Sequence, residues 1–502
     1  MHDNPHRNQV HLIEEWYRHM AKIYDFWPIA YYPFGMIPSE YNVKLEGIYP
    51  EQEINQDWEE VRRVTNLANQ EGFPMFMGYE WQGAGLDGDH NVFFLDNNQD
   101  MFHPLRYQEL AKHFKEIEAI GVPHHLAYHL GDRGKNWETH DEVFSPFAEI
   151  HSSHGSSDSD LSPLPMKTHI HMGPRTGNTS YTYGLKHGKK IGSICSGDNH
   201  SSPGQFDNGI MCVLATDNSK EAIWEGLRKG RVYGSTQGRI DVDFTVNDQL
   251  MGSVLDPTPE VEVDINVVGN SAIDRIEFYR DEILQEVYTH KGTWEENTYQ
   301  KPLRFKIQLE FGWGPDMRVF PDIYKKKWDI KVKTEGKLIG LEKCWNNLGQ
   351  EIIKQDEANL EATLITHKAS EGGKWMGLSG VRNEGFILEI ESKVEDNLIL
   401  EIDGNTYVYK VKDLLEVSHL EGIVDKADEL IKERFGDVKD IRSDLWWHNA
   451  YKFKLHQAIP EEGYKASFQT TIKTENAKNV RVKIYQENGA IAFVSPVHFK
   501  EV

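Results

Sequence analysis

The chain has 502 residues, of which 39% are hydrophobic and 27% are charged, and its formal net charge at pH 7 is −24. This composition is typical of globular proteins, and the length is sufficient for roughly two to four domains. The negative charge argues against a nucleic-acid binder, whose surface should be basic. No apolar run approaches the roughly 18 residues of a membrane span, so we expect no membrane partner. The N-terminus lacks a signal-peptide core, which predicts a cytoplasmic protein, or a periplasmic one if an upstream leader has been removed.

The first part of the chain alternates predicted helices with short buried strands. Helices are expected at 57–72, 107–121 and 220–229, where apolar residues recur at helical spacing. Short apolar runs that end in polar residues lie at 73–81, 122–129, 147–155 and 191–200. Alternating helices and strands are typical of a parallel α/β sheet, open or closed into a barrel. In such folds the active site lies where the strands end.

The pattern changes near Arg239. Segments such as RIDVDFTVND, EVEVDINVVG and NVRVKIYQENG alternate apolar and polar residues, as half-buried antiparallel strands do. One helix is expected to interrupt them at about 421–435. We therefore predict a domain over residues 1–238 that carries the chemistry, followed by a β-rich region over 239–502 with one or two sandwich-like domains.

Imidazoles and carboxylates gather at the predicted strand ends of the first part. Most of the 23 histidines precede residue 201. The strand-end residues are Glu80, His90, His124, His125, Glu149, His151, His154, Asp198 and His200. A lone histidine at a strand end is more often a hydrogen-bonded polar residue than a ligand, but clustering at successive strand ends favours metal binding. Imidazole and carboxylate ligands without thiolates suit Zn, Mn or Fe.

Two local patterns bear on how these ligands are arranged. Asp198 and His200 stand two residues apart, so on an extended strand end both side chains point the same way. His124 and His125 are adjacent, so only one of them is expected to face the site unless the strand bulges. Arg133, in GDRGKNW, either clamps an anion with two parallel hydrogen bonds or lies in a solvated loop.

The motifs GYEW, HNVFF, PHHLAYH, FAEIHSSHG and SGDNH, taken in this order, resemble the PHP (polymerase and histidinol phosphatase) superfamily. More closely they resemble its branch of uncharacterised proteins known as the DUF3604 family, and AIWEGLRKGRVYGSTQGRIDVDF is similar to that branch as well. The resemblance covers approximately residues 70–255. It implies an α/β fold with a distorted (β/α)7 barrel, divalent metals at the carboxyl ends of the strands, and phosphoester hydrolysis.

The resemblance also implies a role for each matching residue. Glu80 would be the bridging carboxylate. His90 would bind a second metal together with His125 or its neighbour His124. Asp198 would bind the first metal and His200 the third.

Two departures from the family pattern reduce the expected metal count. The family opens with His-x-His on its first strand, whereas His2, His6 and His11 do not have that spacing. Tyr31–Pro33 stands where the second strand should end in Thr-Asp-His. Either the chain begins just after its first strand, or half of the cluster has been rebuilt. We expect roughly one to three divalent ions of Zn, Mn or Fe, with a mono- or dinuclear site favoured.

These observations predict an enzyme, a metal-dependent hydrolase. A metal-activated water would attack a phosphoester or related ester of a small polar substrate. His151, His154 or Glu149 would transfer the proton, and Arg133 would bind the anionic group. Two alternatives are a carbohydrate-active metalloenzyme, hydrolytic or eliminative, acting on an acidic glycan, and a metal-poor binding protein derived from the same fold. The expected partner is therefore a small molecule or a carbohydrate.

Overall fold

The computed structural model describes residues 2–166, 172–200, 202–204, 206–290, 302–316, 318–367, 383–439 and 444–501. The chain forms two compact units. The first comprises Met1–Val268, Asp274–Thr289 and Ser467–Val502, and the second comprises Gly269–Ile273 and His290–Ala466. The predicted boundary at Arg239 therefore lies inside the first unit.

The helices are α1 (Ile13–Met20), α2 (Glu51–Gln70), α3 (Tyr107–His113), α4 (Tyr181–Lys186), α5 (Lys220–Arg228), α6 (Val411–Glu416), α7 (Val424–Phe435), α8 (Asp444–Asn449) and α9 (Glu461–Tyr464). The longest, α2, starts before the predicted residue 57 because Pro50 and the acidic first turn favour a helix start there. Conversely, α3 is shorter than predicted, since the chain already forms a strand at Ala119–Pro123. In the parts of the chain that the structure describes, no helix combines the length and apolarity needed to cross a membrane.

The strands up to residue 289 are β1 (Trp27–Tyr31), β2 (Phe34–Pro38), β3 (Lys44–Ile48), β4 (Met75–Trp81), β5 (His90–Phe94), β6 (Ala119–Pro123), β7 (Phe147–Ser152), β8 (Gly155–Ser156), β9 (Gly192–Cys195), β10 (Ile210–Val213), β11 (Val232–Ser235), β12 (Asp241–Val246), β13 (Gln249–Leu250), β14 (Val254–Leu255), β15 (Glu260–Val268), β16 (Ile273–Arg280) and β17 (Ile283–Thr289).

The remaining strands are β18 (Leu303–Gly312), β19 (Lys325–Thr334), β20 (Lys337–Cys344), β21 (Glu351–Gln355), β22 (Asn359–His367), β23 (Glu384–Ser392), β24 (Asn397–Ile402), β25 (Asn405–Lys410), β26 (His419–Ile423), β27 (Tyr451–Leu455), β28 (Ile459–Pro460), β29 (Lys465–Lys473), β30 (Asn479–Gln486), β31 (Ile491–Val494) and β32 (Val497–Phe499).

Two small sheets carry the strand ends on which the site is built. One has the order β1–β4–β5–β6, with β1 parallel to β4, and β5 antiparallel to both of its neighbours. The other has the order β8–β7–β9, with β7 parallel to β9. The closed (β/α)7 barrel of parallel strands is not confirmed. Only a short loop joins β4 to β5, and a parallel pair needs a crossover of a dozen or more residues.

The strands of these sheets nevertheless share one apolar core. It contains side chains from β1, β4, β5, β6, β7, β9, β10 and β11, together with one face of α5. Ile223, Trp224 and Leu227 of that helix are buried in the core at helical spacing, and Ser219 caps its first turn. This shared core holds the strand ends of both sheets in one compact unit.

The end of the chain belongs to the first unit. The strands β10, β11, β31, β30, β16 and β17 form a single sheet in that order, so residues 492–494 of β31 pair with residues 233–235 of β11. The strand β30 is buried along its whole length. Its sequence still alternates, because Arg481 and Lys483 on one of its faces are buried in ion pairs with Asp158.

The second unit consists of two antiparallel sheets with the orders β20–β23–β18–β27–β26 and β21–β22–β19–β24–β25. Alternate residues of β18 and β19 are buried, and the rings of Phe311 and Trp328 meet with centroids 5.1 Å apart. The two sheets therefore pack face to face through their apolar sides. Helix α7 falls within the predicted 421–435.

Candidate metal centre

The strand directions bring the predicted strand-end residues of the first unit to one edge. Because β5 runs antiparallel to β4 and β6, the end of β4, the start of β5 and the end of β6 lie together. Glu80 is at the end of β4, and His124 and His125 follow β6 directly. The parallel pair β7 and β9 supplies His154 and Asp198 in the same way, just beyond each strand.

Asp198 lies at the centre of the cluster and is buried. Its Oδ1 is 4.0 Å from His124 Nε2 and 3.5 Å from His200 Nε2, and its Oδ2 is 3.2 Å from His154 Nε2. Burial by itself would raise the pKa of Asp198, but the neighbouring imidazoles hold it well below its usual range. The carboxylate is therefore ionised, as a metal ligand must be.

Both His124 and His125 face Asp198. Their rings lie 4.2 Å apart, and one ligand atom of each lies within 4.8 Å of an Asp198 oxygen and of the other. The expectation that only one would face the site is wrong. The strand β6 ends at Pro123, and His125 has a left-handed φ of 35°, so the alternation of a strand no longer applies. Such backbone strain is common at functional sites.

Glu80, Asp198 and His200 form a second group whose ligand atoms lie within 4.8 Å of one another. Glu80 is oriented from both sides: Gln82 Nε2 donates to its Oε1 at 2.9 Å, and Asn4 Nδ2 donates to its Oε2 at 2.7 Å. Asp198 thus belongs to both groups. One shared carboxylate between two ligand sets is the arrangement that two neighbouring metals require.

The first residues of the chain enter this cluster, although the sequence pattern did not predict it. Isolated parallel bridges join Asp3 to Ile29 and to Asn199, so residues 3–6 run as an extended segment beside β1. His2 Nε2 contacts Glu149 Oε2 at 2.5 Å, and His6 Nε2 contacts His200 Nδ1 at 3.0 Å. The sequence feature that could have indicated this is the spacing His-x-Asn-x-His, which places three side chains on one face of an extended chain.

His200 is held by this segment in a way that suits a ligand. Burial and the nearby His200 lower the pKa of His6 to about 3, so the His6 ring is neutral and its Nε2 can accept a hydrogen bond from His200 Nδ1–H. The Nε2 of His200 is then left to face Asp198 and Glu80. A metal-binding histidine typically uses its second nitrogen for such an orienting hydrogen bond.

The structure does not bring the ring of His90 into either group. Its Nδ1 donates to the Gly88 carbonyl at 2.8 Å, and its Nε2 lies 3.2 Å from Lys135 Nζ. The preceding residue, Asp89, faces the cluster instead, with its Oδ2 3.5 Å from His125 Nε2. Adjacent residues of an extended chain point to opposite sides, so Asp89 faces the cluster and His90 does not.

Arg133 contacts the cluster through Asp89. Its Nη1 is 3.3 Å from Asp89 Oδ2, and its Nη2 donates to Glu46 Oε2 at 2.5 Å. Tyr32 also donates to Glu46, at 2.5 Å, and packs against the His200 ring. Arg133 is half-buried, and its guanidinium pairs with two carboxylates of the protein, those of Asp89 and Glu46.

The other predicted catalytic residues differ in their distance from the cluster. His154 is in it, with Tyr128 Oη 2.6 Å from its Nδ1. Glu149 is buried beside His2, and its Oε1 has no hydrogen-bond partner among the described residues. For His151 the described structure shows a buried, unpartnered Nδ1 and no ion pair or ring contact with the cluster.

The donor set fits a divalent metal. Both ring nitrogens of His124, Nδ1 of His125 and Oδ1 of Asp89 are buried without hydrogen-bond partners in the described residues, and the two oxygens of Asp198 face imidazole nitrogens. Leaving one such atom unpaired costs about 1–3 kcal/mol, and more for charged groups. Their convergence is therefore explained by a bound cation, for which neutral imidazole and carboxylate are suitable ligands.

Comparisons with known proteins give distant similarities. No family model matches the chain. An uncharacterized protein of Chlamydia pneumoniae is 22% identical over 257 residues, and one of Chlamydia trachomatis is 25% identical over 209 residues. These matches cover 46% and 38% of this chain and only 41% and 33% of the two relatives, so the chain spans less than half of their length.

One solved structure is a two-domain protein of Bacteroides vulgatus that contains a predicted PHP-like metal-dependent phosphoesterase. It is 12% identical and covers 82% of this chain and 94% of its own, with a TM-score of 0.31. At this score the similarity carries no conclusion about the fold. Membership in the PHP superfamily, or in its DUF3604 branch, stays a prediction from the motifs.

Proposed function

We propose that the chain is a metal-dependent hydrolase acting on a phosphoester of a small polar substrate. The observation that carries this proposal is the convergence of unpartnered buried ligand atoms on Asp198, which two ligand groups share. His124 and His125 would complete one metal position, and Glu80 and His200 the other. The choice of a phosphoester follows from the motif resemblance alone.

A divalent metal in this position would supply Lewis-acid activation of water and of the substrate oxygen. The chain's own residues would provide the rest. Asp198, Glu80 and the imidazoles would hold the cation, while Gln82 and Asn4 keep the Glu80 carboxylate in place through their amide N–H groups. Such orienting partners commonly change metal affinity or activity by about 10–100-fold.

His154 is the best placed residue to move a proton. Burial raises the pKa of Tyr128 far above its usual value, so its hydroxyl stays protonated and donates to His154 Nδ1 at 2.6 Å. The Nε2 of His154 then carries a proton and faces the cluster, 3.2 Å from Asp198 Oδ2. In this arrangement the ring can release the Nε2 proton to a leaving oxygen.

Metal content, measured by plasma mass spectrometry on protein purified without chelator, tests the metal centre. The His124→Asn variant should lose most of the metal. The matched control is His103→Asn, because His103 also has two buried, unpartnered ring nitrogens but lies outside both ligand groups. Less than about a tenth of an equivalent in the parent protein after incubation with Zn, Mn or Fe would refute the centre and leave a metal-poor binding protein.

Hydrolysis of p-nitrophenyl phosphate and bis(p-nitrophenyl) phosphate tests the reaction. The metal-loaded parent should hydrolyse at least one of them. His154→Gln should keep its metal and lower kcat by about 10²–10⁴-fold, as expected for loss of a proton donor. Full metal content without hydrolysis of either ester would refute the phosphoester proposal, and cleavage of an acidic oligosaccharide would then support the carbohydrate alternative.

A further inference from the structure

The carboxylate of Glu46, on the strand β3, is bound at both of its oxygens. The Tyr32 hydroxyl donates to Oε1 at 2.5 Å, and Arg133 Nη2 donates to Oε2 at 2.5 Å. A guanidinium and a hydroxyl group that each donate to a different oxygen are together suited to bind a carboxylate. In this structure the carboxylate between them belongs to the chain itself.

The two donors are held firmly in place. Tyr32 is 6% exposed, and its ring packs against those of His6 and His200, with centroids 4.4 Å and 5.0 Å away. Arg133 has a left-handed φ of 65°, and its backbone N–H donates to the Gly85 carbonyl at 3.0 Å. A left-handed residue other than glycine costs roughly 1–2 kcal/mol and persists only where its surroundings fix it. The donors are therefore positioned in advance for an anion.

Glu46, in contrast, can leave its position at little cost. Its side chain is 42% exposed, and in the described part of the chain β3 pairs with β2 alone. Most of β3 is exposed as well. An ion pair with this much solvent contact typically contributes about 0–1 kcal/mol. An anion from solution can therefore take the place of the Glu46 carboxylate when this one side chain rotates into solvent.

This pair of donors lies close to the candidate metal centre. Gln82 Nε2 donates to the Tyr32 hydroxyl oxygen at 3.2 Å and to Glu80 Oε1 at 2.9 Å. On the other side, Arg133 Nη1 lies 3.3 Å from Oδ2 of Asp89, the carboxylate that faces the cluster. A molecule of a few carbon atoms can therefore extend from the two donors to the metal ligands.

We propose that Arg133 and Tyr32 form a subsite for a carboxylate of the substrate, and that the Glu46 side chain occupies this subsite until substrate binds. Glu46 then rotates into solvent, while Arg133 keeps its contact with Asp89. With a phosphate group at the metal ligands, the substrate class is a phosphate ester of a hydroxy acid. The phosphate part of this assignment rests on the proposed function, whereas the carboxylate subsite rests on the contacts of Glu46.

Isothermal titration calorimetry of the metal-loaded protein with two phosphonates, which are not esters and cannot be turned over, tests this assignment. 3-Phosphonopropionate carries a carboxylate, whereas propylphosphonate does not. The parent should bind 3-phosphonopropionate roughly tenfold more tightly, a factor that corresponds to about 1.4 kcal/mol. Glu46→Gln removes the competing carboxylate and should increase this ratio by about two- to fivefold. Glu40→Gln, the same charge change at an exposed position between β2 and β3, should leave the ratio unchanged.

Two further variants, made in the Glu46→Gln background, test the donors themselves. Tyr32→Phe keeps the ring but removes the hydroxyl group, and should lower the ratio by about three- to tenfold. Arg133→Met should make the two affinities nearly equal. Circular dichroism of each variant checks the fold. An unchanged ratio in the folded Tyr32→Phe variant would show that its hydroxyl does not bind the carboxylate and would overturn the subsite.

The titrations need no turnover, so their result is distinguishable from failure of the proposed function. Equal affinities for the two phosphonates in the parent and in Glu46→Gln, together with hydrolysis of p-nitrophenyl phosphate, would overturn the subsite and leave the hydrolase. A preference for 3-phosphonopropionate without hydrolysis of either test ester would support the subsite and refute the hydrolase. Absence of binding of both phosphonates at about 1 mM would overturn the substrate class.

Discussion

Asn4 Nδ2 donates a hydrogen bond of 2.7 Å to Glu80 Oε2 and thereby joins the first residues of the chain to the end of β4. Asn4 stands two residues after His2, so on this extended segment the two side chains lie on the same side. The amide cannot replace an imidazole as a strong ligand, but it orients the carboxylate that can bind the metal. The first residues of the chain therefore contact the candidate metal centre through Glu80.

Two different replacements of Asn4 should change the metal affinity in opposite directions. Asn4→His adds an imidazole beside Glu80 and should raise the affinity roughly tenfold, whereas Asn4→Ala frees the Glu80 carboxylate and should lower it about tenfold. Competition with a chromogenic chelator measures both. Asn98→His, at an exposed loop position, is the control and should have no effect. Equal affinities in all four proteins would show that Asn4 does not act on the metal centre.

The left-handed backbone of His125 predicts an unusual order of stabilities. With φ at 35°, glycine is favoured at this position, so His125→Gly should be more stable than His125→Ala by about 1 kcal/mol. At His124 the usual order, alanine above glycine, should hold. Thermal unfolding in the presence of a chelator compares the four variants without a metal contribution. If alanine is the more stable residue at both positions, the strain at His125 is refuted.

The buried carboxylate of Asp158 predicts a loss of stability in acid. Lys483 Nζ lies 2.5 Å from Asp158 Oδ2, and Arg481 Nη2 lies 3.3 Å from Oδ1. Burial by itself would raise the pKa of Asp158, but these two cations lower it below its usual value. The unfolded chain then binds more protons below about pH 4, so the stabilisation is full above that pH and is lost as the pH falls through the lowered pKa.

Asp158→Asn should therefore lower the free energy of unfolding by about 3–5 kcal/mol at pH 7, because it removes the carboxylate that pairs with the buried Lys483 and leaves Arg481 paired with Glu282 alone. Towards pH 3 the difference from the parent protein should decrease. Urea unfolding at several pH values measures this, with Asp256→Asn, at an exposed position, as the control. A difference that stays constant from pH 7 to pH 3 would contradict the assigned direction of the pKa.

The buried Lys135 predicts a change of stability at neutral to alkaline pH, whereas Asp158 acts in acid. Burial lowers its pKa to about 7, and its Nζ lies 3.2 Å from His90 Nε2. Between pH 7 and about 10 the unfolded chain binds one more proton, so this residue makes stability rise with pH by up to about 1.4 kcal/mol per unit. Lys135→Met should remove that rise and be most favourable, relative to the parent, at low pH. Thermal midpoints from pH 6 to pH 10 test this, and Lys500→Met should follow the parent curve.

The chemistry of the candidate site could be predicted from local sequence, but the full set of residues that form it could not. Glu80, His124 and Asp198 were identifiable because carboxylates and imidazoles follow short buried strands. His90 was expected as a ligand, yet Asp89 faces the cluster, since a shift of one residue on a strand reverses the side-chain direction. Asn4 carries no metal signature, and only its pairing beside β1 brings it to Glu80.

The sequence by itself determined the ligand types, the negative charge, most helix and strand positions, and the β-rich character of the second half, because these depend on residue type and short-range periodicity. The tertiary structure alone decided which strands pair, and therefore that β5 is antiparallel and that β30 and β31 join the first unit. It also turned both His124 and His125 towards Asp198. Strand pairing and loop conformation depend on contacts between residues distant in the chain, which local patterns do not contain.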